Sequence, residues 1–475
     1  MGRAILGAVA IMLSALNAHA QSISPDDLTA RNIQRRAVEA MIWSMPAVNT
    51  DLMLQAMLKS TKAKSNEIVY WSKPVNWKNQ TLTPNPDSIY FMSFWNVKDG
   101  PIVVEIPPAD GGSIAGNIVT LWQMPLEDTG PEGADKGQGG KYLILPPGYK
   151  GEVPQGFIAL QSDVYSGFAL LRSNLAGHGD ADIAKSVAYG KRIKVYPLTN
   201  AQEPPPTNST DAYDVMYDST IAYDASFYRS LDHVVQNEPW LDRDRAMIDQ
   251  LATIGIVKGK PFNPDQKTVA LLDQAAREAH AFLAQIYDAG FPVLNPGIRW
   301  FPAAVPEMVK AASGGYGDPN AYPIDMRGVT YTLGYTGIKR LGTAQFYLMA
   351  NKDRDGQPFE GSAIYRLTVP ANAPVRNYWS ATVYDRETHA LVRNMPSASR
   401  ASISPGLPKN ADGSVDVYFG PKAPDGKEAN WVPTDPARKF ELLFRLYGPE
   451  KPLFDHSWKL PDVERVATTI GGATK

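Results

Sequence analysis

Between residues 24 and 45 apolar side chains recur at three- and four-residue steps. Ala30, Ile33, Ala37, Val38, Met41, Ile42 and Met45 form the stripe of an amphipathic helix. Ser24 stands at the cap, Pro25 in the first turn, and Asp26 and Asp27 face the positive end of the helix dipole. Pro46 is expected to interrupt this helix, with a second short one over 51–58. From residue 67 the texture changes to short β-type runs broken by Pro and Gly, at 68–71, 88–95, 102–106, 118–122, 142–145, 157–160 and 168–172. Such spacing predicts a β-sandwich. Residues 130–140 carry five glycines and almost nothing apolar, which reads as a loop over the sheet edge. A helical turn over 181–188 and a last strand over 193–198 complete this part.

Residues 201–210 hold Pro204, Pro205 and Pro206 among polar neighbours, the pattern of an extended linker. Helices are expected over 242–253 and 264–289. In the second, Asn263 caps, Pro264 opens the first turn, Val269, Leu272, Ala276, Ala279, Phe282, Leu283 and Ile286 form the stripe, and Gly290 closes it. From residue 330 the β texture returns, punctuated by Gly334, Gly337 and Gly342, with strands over 345–350, 364–369, 378–384, 390–393, 415–419 and 440–447. Many strands, Gly-Pro turns and no helix between them predict a second sandwich of jelly-roll type. The expected fold class is mainly β with a helical segment: 1–20 a signal peptide, 21–66 helical, 67–200 the first sandwich, 201–212 the linker, 213–329 helical, and 330–475 the second sandwich. No internal repeat is visible.

The first twenty residues justify the separate assignment. Arg3 gives a positive start, residues 4–16 are almost wholly apolar, and Ala18, His19 and Ala20 place small residues at a cleavage point, as in a secretory signal peptide. The apolar run is shorter than the ~20 residues that span a bilayer, so the mature chain is expected to begin at Gln21, with no transmembrane segment, in the periplasm or outside the cell. Cysteine is absent, which excludes disulfides, thiol nucleophiles and thiol-bound metals; no haem or nucleotide is expected either. With 44% hydrophobic residues the chain can bury a large core instead. A formal charge of −2, from 47 basic and 49 acidic residues, gives no electrostatic footprint for nucleic acid, and Lys191, Arg192 and Lys194 read as a solvated strand edge.

Most signals of chemistry resolve into turns or surface. Five histidines follow the signal, His178, His233, His280, His389 and His456, and no two have ligand spacing, so no short-range zinc motif is present. Asp353-Arg354-Asp355-Gly356 starts like a calcium loop, but Ile364 stands at its twelfth position where glutamate is needed. Asp412-Gly413-Ser414-Val415-Asp416 offers two more carboxylates, and both segments read as hairpin turns. No Gly-x-Ser-x-Gly elbow occurs, and Asp455-His456-Ser457 are neighbours that cannot adopt triad geometry. Gly137, Gly139 and Gly140 open no helix and lack the context of a phosphate cradle.

Four clusters remain: Asn85-Pro86-Asp87-Ser88-Ile89-Tyr90; Asn377-Tyr378-Trp379-Ser380-Ala381-Thr382-Val383-Tyr384-Asp385; Asn430-Trp431-Val432-Pro433-Thr434; and Phe444-Arg445-Leu446-Tyr447-Gly448-Pro449. In the first, Asn85 and Asp87 sit where a loop meets a strand, so Asp87 is either a turn-forming carboxylate or an acid facing a cleft. Tyr378, Trp379, Asn430, Trp431 and Tyr447 combine planar apolar surface with hydrogen-bonding groups, the usual lining of an organic-ligand pocket. Arg445 on an apolar strand needs a partner, and Asp87, Asp385 or Asp416 would serve if the N- and C-terminal clusters met at an interdomain cleft. The competing reading has the aromatics closing the second sandwich and Arg445 stapling a surface turn.

These clusters resemble the signature positions of exported bacterial proteins that join two domains of unknown function, DUF1254 and DUF1214, in tandem. The resemblance spans nearly the whole mature chain. It implies an immunoglobulin-like β domain, a helical segment and a jelly-roll-like C-terminal domain, and it implies no catalytic assignment. Pro86 and Ser88 depart slightly from the family pattern. Two functions are compatible with these residues. One is binding of a small organic or carbohydrate-like molecule in an aromatic, Arg-containing interdomain cleft, formed by Asn85, Tyr90, Tyr378, Trp379, Asn430, Trp431 and Tyr447. The other is carboxylate-based hydrolysis of esters or phosphodiesters, with Mg²⁺ or Ca²⁺, Asp87 as base or ligand and Arg445 stabilising developing negative charge. Exposed strand edges leave a homo-oligomer open, as they do a monomer.

Overall fold

The structure is a computed structural model that describes residues 23–334, 336–340 and 344–466. The expected signal peptide at 1–20 and Gly342 lie outside the described residues. The chain is β-rich with helical segments, 27% helix and 25% strand.

The N-terminal β domain has two sheets. Six strands run in the spatial order Ser209–Asp211, Ile68–Tyr70, Ile89–Asn96, Ser166–Ser173, Ile114–Thr120, Pro125–Thr129. Four more follow the order Lys194–Pro197, Ile102–Ile106, Gly140–Leu145, Phe157–Gln161. Ile89, Phe91, Trp95, Tyr142 and Ile144 fill the space between them. The C-terminal domain repeats this arrangement. Its larger sheet runs Phe301–Pro302, Gln345–Ala350, Phe440–Pro449, Val375–Asp385, Ser399–Ala401, and its smaller one Trp431–Pro433, Val415–Gly420, Tyr365–Val369, Glu464–Arg465. Leu367, Trp379, Val417, Phe444 and Leu446 pack between these sheets.

A third core joins the domains. Side chains alternate along a strand, so Tyr90, Met92 and Phe94 point away from the first sandwich, as Tyr384 and Leu443 do from the second. These outer faces meet helices Pro25–Ser60, Ser226–Asn237, Gln266–Ala289 and Ile324–Thr332. Strands Ile89–Asn96 and Phe440–Pro449 are consequently buried on both sides, which puts charged side chains on the outer face of a sheet yet out of water.

The central helix departs from expectation. Pro46 lies inside an unbroken 36-residue helix, Pro25–Ser60, capped at Ser24, whose hydroxyl accepts from the Asp27 N–H at 3.1 Å. The cost of an interior proline is ~3 kcal/mol, and here it is offset by packing, because residues 40–51 are buried on every side. The cap of Gln266–Ala289 is Asp265, two residues after Asn263, which accepts from Thr268 N–H at 2.7 Å. Residues 242–253 divide into a 3-10 turn, Asp242–Asp244, and helix Met247–Thr253. The linker segment is extended through its prolines, but Ser209–Asp211 joins the first sheet as a parallel edge strand against Ile68–Tyr70. The second β domain recruits Phe301–Pro302, upstream of residue 330, as the partner of Gln345–Ala350. No helix among the described residues is long and apolar enough to cross a membrane.

Helix Ile324–Thr332 crosses Pro25–Ser60 at Gly328, where an added Cβ would stand 2.9 Å from Ile42 Cγ2 and 3.1 Å from the Ile42 carbonyl oxygen. Gly328→Ala is therefore expected to cost about 1–3 kcal/mol, read as a lowered Tm; an unchanged or raised Tm would show that this crossing is not close-packed.

Candidate functional site

Asn85-Pro86-Asp87-Ser88 forms a turn with proline and Asp87 at its centre. The Asn85 side-chain oxygen accepts the Asp87 N–H at 3.0 Å, and the Tyr90 hydroxyl accepts the Asn85 N–H at 2.8 Å. The turn is seated on the outer face of the C-terminal sheet. Asn85 Nδ2 donates to the Tyr447 hydroxyl at 2.7 Å and to that of Tyr378 at 3.1 Å. Tyr378 donates in turn to the Asp87 carbonyl at 3.1 Å, and Tyr384 to the Pro84 carbonyl at 2.6 Å. The rings of Tyr378 and Tyr447 stack with centroids 4.5 Å apart. Asn85, Tyr90, Tyr378, Tyr447, Arg445 and Asp87 are thus brought together, at the interface between the β domains.

Next to this clasp lies a cavity. Tyr90, Leu170 and Arg172 of the N-terminal sheet form one wall, and Tyr347, Leu443 and Arg445 of the C-terminal sheet another. Arg172 pairs across its sheet with Tyr90 and Arg445 with Tyr347. Their guanidinium carbons lie 5.5 Å from the Tyr90 ring and 5.2 Å from the Tyr347 ring. Arg445 donates to the Thr83 carbonyl at 2.8 Å, the Tyr384 hydroxyl at 2.6 Å and Thr382 Oγ1 at 3.0 Å. Its Nε, and Nε and Nη1 of Arg172, are buried with no hydrogen-bond partner among the described residues.

No described carboxylate forms an ion pair with either arginine. Asp385 is bound by Arg438, with Nη2 at 2.8 Å from Oδ1, Asp416 accepts from Thr368 at 2.6 Å, and Asp87 Oδ1 accepts from Ser399 Oγ at 3.0 Å. The partners anticipated for Arg445 are accordingly engaged elsewhere. Burial pushes the phenols of Tyr378, Tyr384 and Tyr447 up, so these hydroxyls stay protonated at neutral pH and supply no negative charge, while a guanidinium stays cationic.

Three anticipated residues lie elsewhere. Trp379 points into the second sandwich and stacks on Phe444 at 5.6 Å, because it is out of phase with Tyr378 on its strand. Asn430 donates to the Asp416 carbonyl at 2.7 Å, and Trp431 Nε1 to the Gly420 carbonyl at 2.8 Å, both on the smaller sheet. Arg172 was missed. Its signal is the alternation Phe168, Leu170, Arg172, a cation in line with apolar residues on a strand with few polar positions.

Asp87 also faces a second, polar pocket on the other side of the turn, with His178 Nε2 3.4 Å from its Oδ1 and Oδ2 without a partner. Among the described residues no group of three or more His, Asp or Glu is placed to hold a metal ion. Asp353 and Asp412 close turns, accepting from Gln357 N–H at 2.9 Å and Ser414 N–H at 2.9 Å.

Residues 65–197 match the family model DUF1254 and residues 344–451 the model DUF1214, each described as a protein of unknown function. The chain is a tandem DUF1254/DUF1214 protein. In this tandem protein the two matched segments are the two β domains, and Asn85 of the first clasps Tyr378 and Tyr447 of the second. Its structure is similar to the crystal structure of the VPA0106 protein from Vibrio parahaemolyticus, with 17% identity over 92% of this chain and 100% of that one and a TM-score of 0.57, a likeness of fold. A crystal structure of a putative uncharacterized protein from Burkholderia cenocepacia shares 13% identity over 92% of this chain and 95% of that one, with a TM-score of 0.43. No curated protein matches the tandem chain.

Asn85→Ala leaves the Tyr378 and Tyr447 hydroxyls short of a donor, and is expected to cost about 1–3 kcal/mol in denaturant unfolding; a change within error would show that the turn docks without them. Burial pushes the Asp87 carboxyl above the usual carboxylate range, against the opposing pull of His178, Ser399 and Arg445. The folded state thus holds this proton more tightly than the unfolded chain, and the stability it gives is complete at low pH and lost as pH rises through the raised native value. Asp87→Asn carries no such loss. Its Tm relative to the native sequence should therefore climb as pH rises from the ordinary carboxylate range through the raised native value, and a flat or falling difference would contradict this reading.

Proposed function

We propose that the protein binds a small organic anion, a short-chain carboxylate or an oxyanion of similar size with an apolar body, between its two β domains. The observation that carries this reading is the pair Arg172 and Arg445 on facing walls of an apolar cavity, with N–H groups that have no partner and no carboxylate paired to either among the described residues. Burying an ion without a counter-charge costs several kcal/mol. A bound carboxylate would remove that cost and form the short, charge-assisted bonds that guanidinium groups favour.

Size limits the ligand. Water-molecule centres can reach about 100 Å³ of the cavity, less than the ~150 Å³ of a cavity known to accept benzene. That space favours a short aliphatic chain and disfavours a sugar ring. The signal-like residues 1–20 support a periplasmic or extracellular setting for such binding.

Thermal unfolding with butyrate, butanol and butylammonium separates charge from shape. Butyrate alone is expected to raise Tm, by a few degrees at about 100 times its Kd, where linkage supplies ~2.7 kcal/mol. Arg172→Met should abolish that shift while leaving the ligand-free Tm unchanged or higher, because it removes an uncompensated buried charge. Equal shifts from butanol and butyrate, or a butyrate shift that survives in Arg172→Met, would refute the proposal.

A further inference from the structure

The second pocket carries a chemistry of its own. It opens between the domains on the far side of the Asn85 turn, with about 420 Å³ open to water-molecule centres. Trp77, Pro86 and Tyr213 provide apolar surface from one domain, and Ser397, Ser399 and Arg400 come from the strand edge of the other. Asp87 is 1% exposed, and the Ser399 hydroxyl donates to its Oδ1 at 3.0 Å. His178 Nε2 stands 3.4 Å from the same oxygen, outside hydrogen-bond geometry and with no other partner. Arg400 is held beside Ser399 by three bonds, from Nη1 to the Ser399 carbonyl at 2.8 Å and Ser397 Oγ at 3.2 Å and from Nε to the Ala429 carbonyl at 2.8 Å.

We infer that this pocket is a nucleophilic-serine site for carboxylic esters, with Ser399 as nucleophile, Asp87 as its general base and Arg400 as the cation that faces the developing oxyanion. A serine hydroxyl is a weak nucleophile until a positioned base takes its proton, and here a carboxylate accepts that proton directly. Ser399 Oγ adds to the ester carbonyl carbon while its proton passes to Asp87 Oδ1. Collapse breaks the acyl–oxygen bond, and the departing alkoxide takes this proton, leaving the acyl group on Ser399. Water then gives a proton to the same carboxylate and adds to the acyl carbon. The acid leaves, and the proton returns to Ser399. Burial of Asp87 raises its proton affinity, which suits it to take up this proton and give it back. Because this site uses neither cavity arginine, it stands or falls independently of anion binding.

The test is covalent labelling of the full chain with an alkyl fluorophosphonate, in which an Oγ–P bond forms and fluoride leaves. One adduct per chain is expected, mapped by tandem mass spectrometry to Ser399. It should be absent from Ser399→Ala, which removes a single oxygen, and formed roughly 100-fold more slowly in Asp87→Asn with a cooperative melt retained. If Asp87→Asn does not fold, mapping of the native chain against Ser399→Ala decides alone. No adduct, an adduct at another residue, or an undiminished rate in folded Asp87→Asn would overturn the assignment.

Discussion

The side-chain amide of Asn85 donates to two tyrosine hydroxyls, Tyr378 and Tyr447, which lie 293 and 362 positions further along the chain. This contact seats the Asn85 turn on strand Phe440–Pro449, which is buried on both faces. A two-sheet sandwich needs only its inner face covered, and its outer face is ordinarily wet. Here the outer face is closed off by the turn, by the N-terminal sheet and by helices, so polar groups placed there must find partners inside the protein. The carbonyls of Thr83, Pro84 and Asp87 supply three of them, to Arg445, Tyr384 and Tyr378.

Glu441 and Arg445 share that face of one strand and make an instructive contrast. Glu441 accepts from Tyr287 at 2.8 Å, lies 2.7 Å from His389 Nδ1 and has Arg386 Nε 4.0 Å from its Oε2, so its buried charge has a cation beside it. Arg445 donates hydrogen bonds but forms no ion pair with any described carboxylate, and Arg172 across the cavity leaves Nε and Nη1 without a partner among the described residues. A fold that completes the first network so fully leaves the second open at one place, beside an apolar cavity. A ligand that brings its own negative charge is the simplest physical completion, and the turn that holds the domains together would then also form part of its wall.

The sandwiches, the long helices and the family were legible in the sequence because strand alternation and helical stripes are local patterns. Pro46 misled because propensity is local while burial is not: a helix surrounded by packing partners tolerates what an exposed one does not. Ser209–Asp211 was hidden for the same reason, since a proline-rich segment gives no sign of the sheet edge that receives it. At the candidate site, Asn85, Tyr378 and Tyr447 were readable as a constellation; three of the four clusters meet between the β domains, while Asn430 and Trp431 do not join them. The failure of Trp379 was avoidable, because it stands one residue out of phase with Tyr378. Arg172 leaves a trace in the alternation Phe168, Leu170, Arg172, whereas His178 and Ser399 leave none, because each becomes chemical only through residues that folding brings beside it.

The most direct test of the central claim is diffraction from crystals soaked in 4-bromobutyrate, recorded at the bromine absorption edge. The account predicts a bromine peak in the apolar part of the cavity, with the carboxylate density lying between Arg172 and Arg445. A cavity without bromine in which both guanidinium groups are paired with a carboxylate of the protein itself would contradict it.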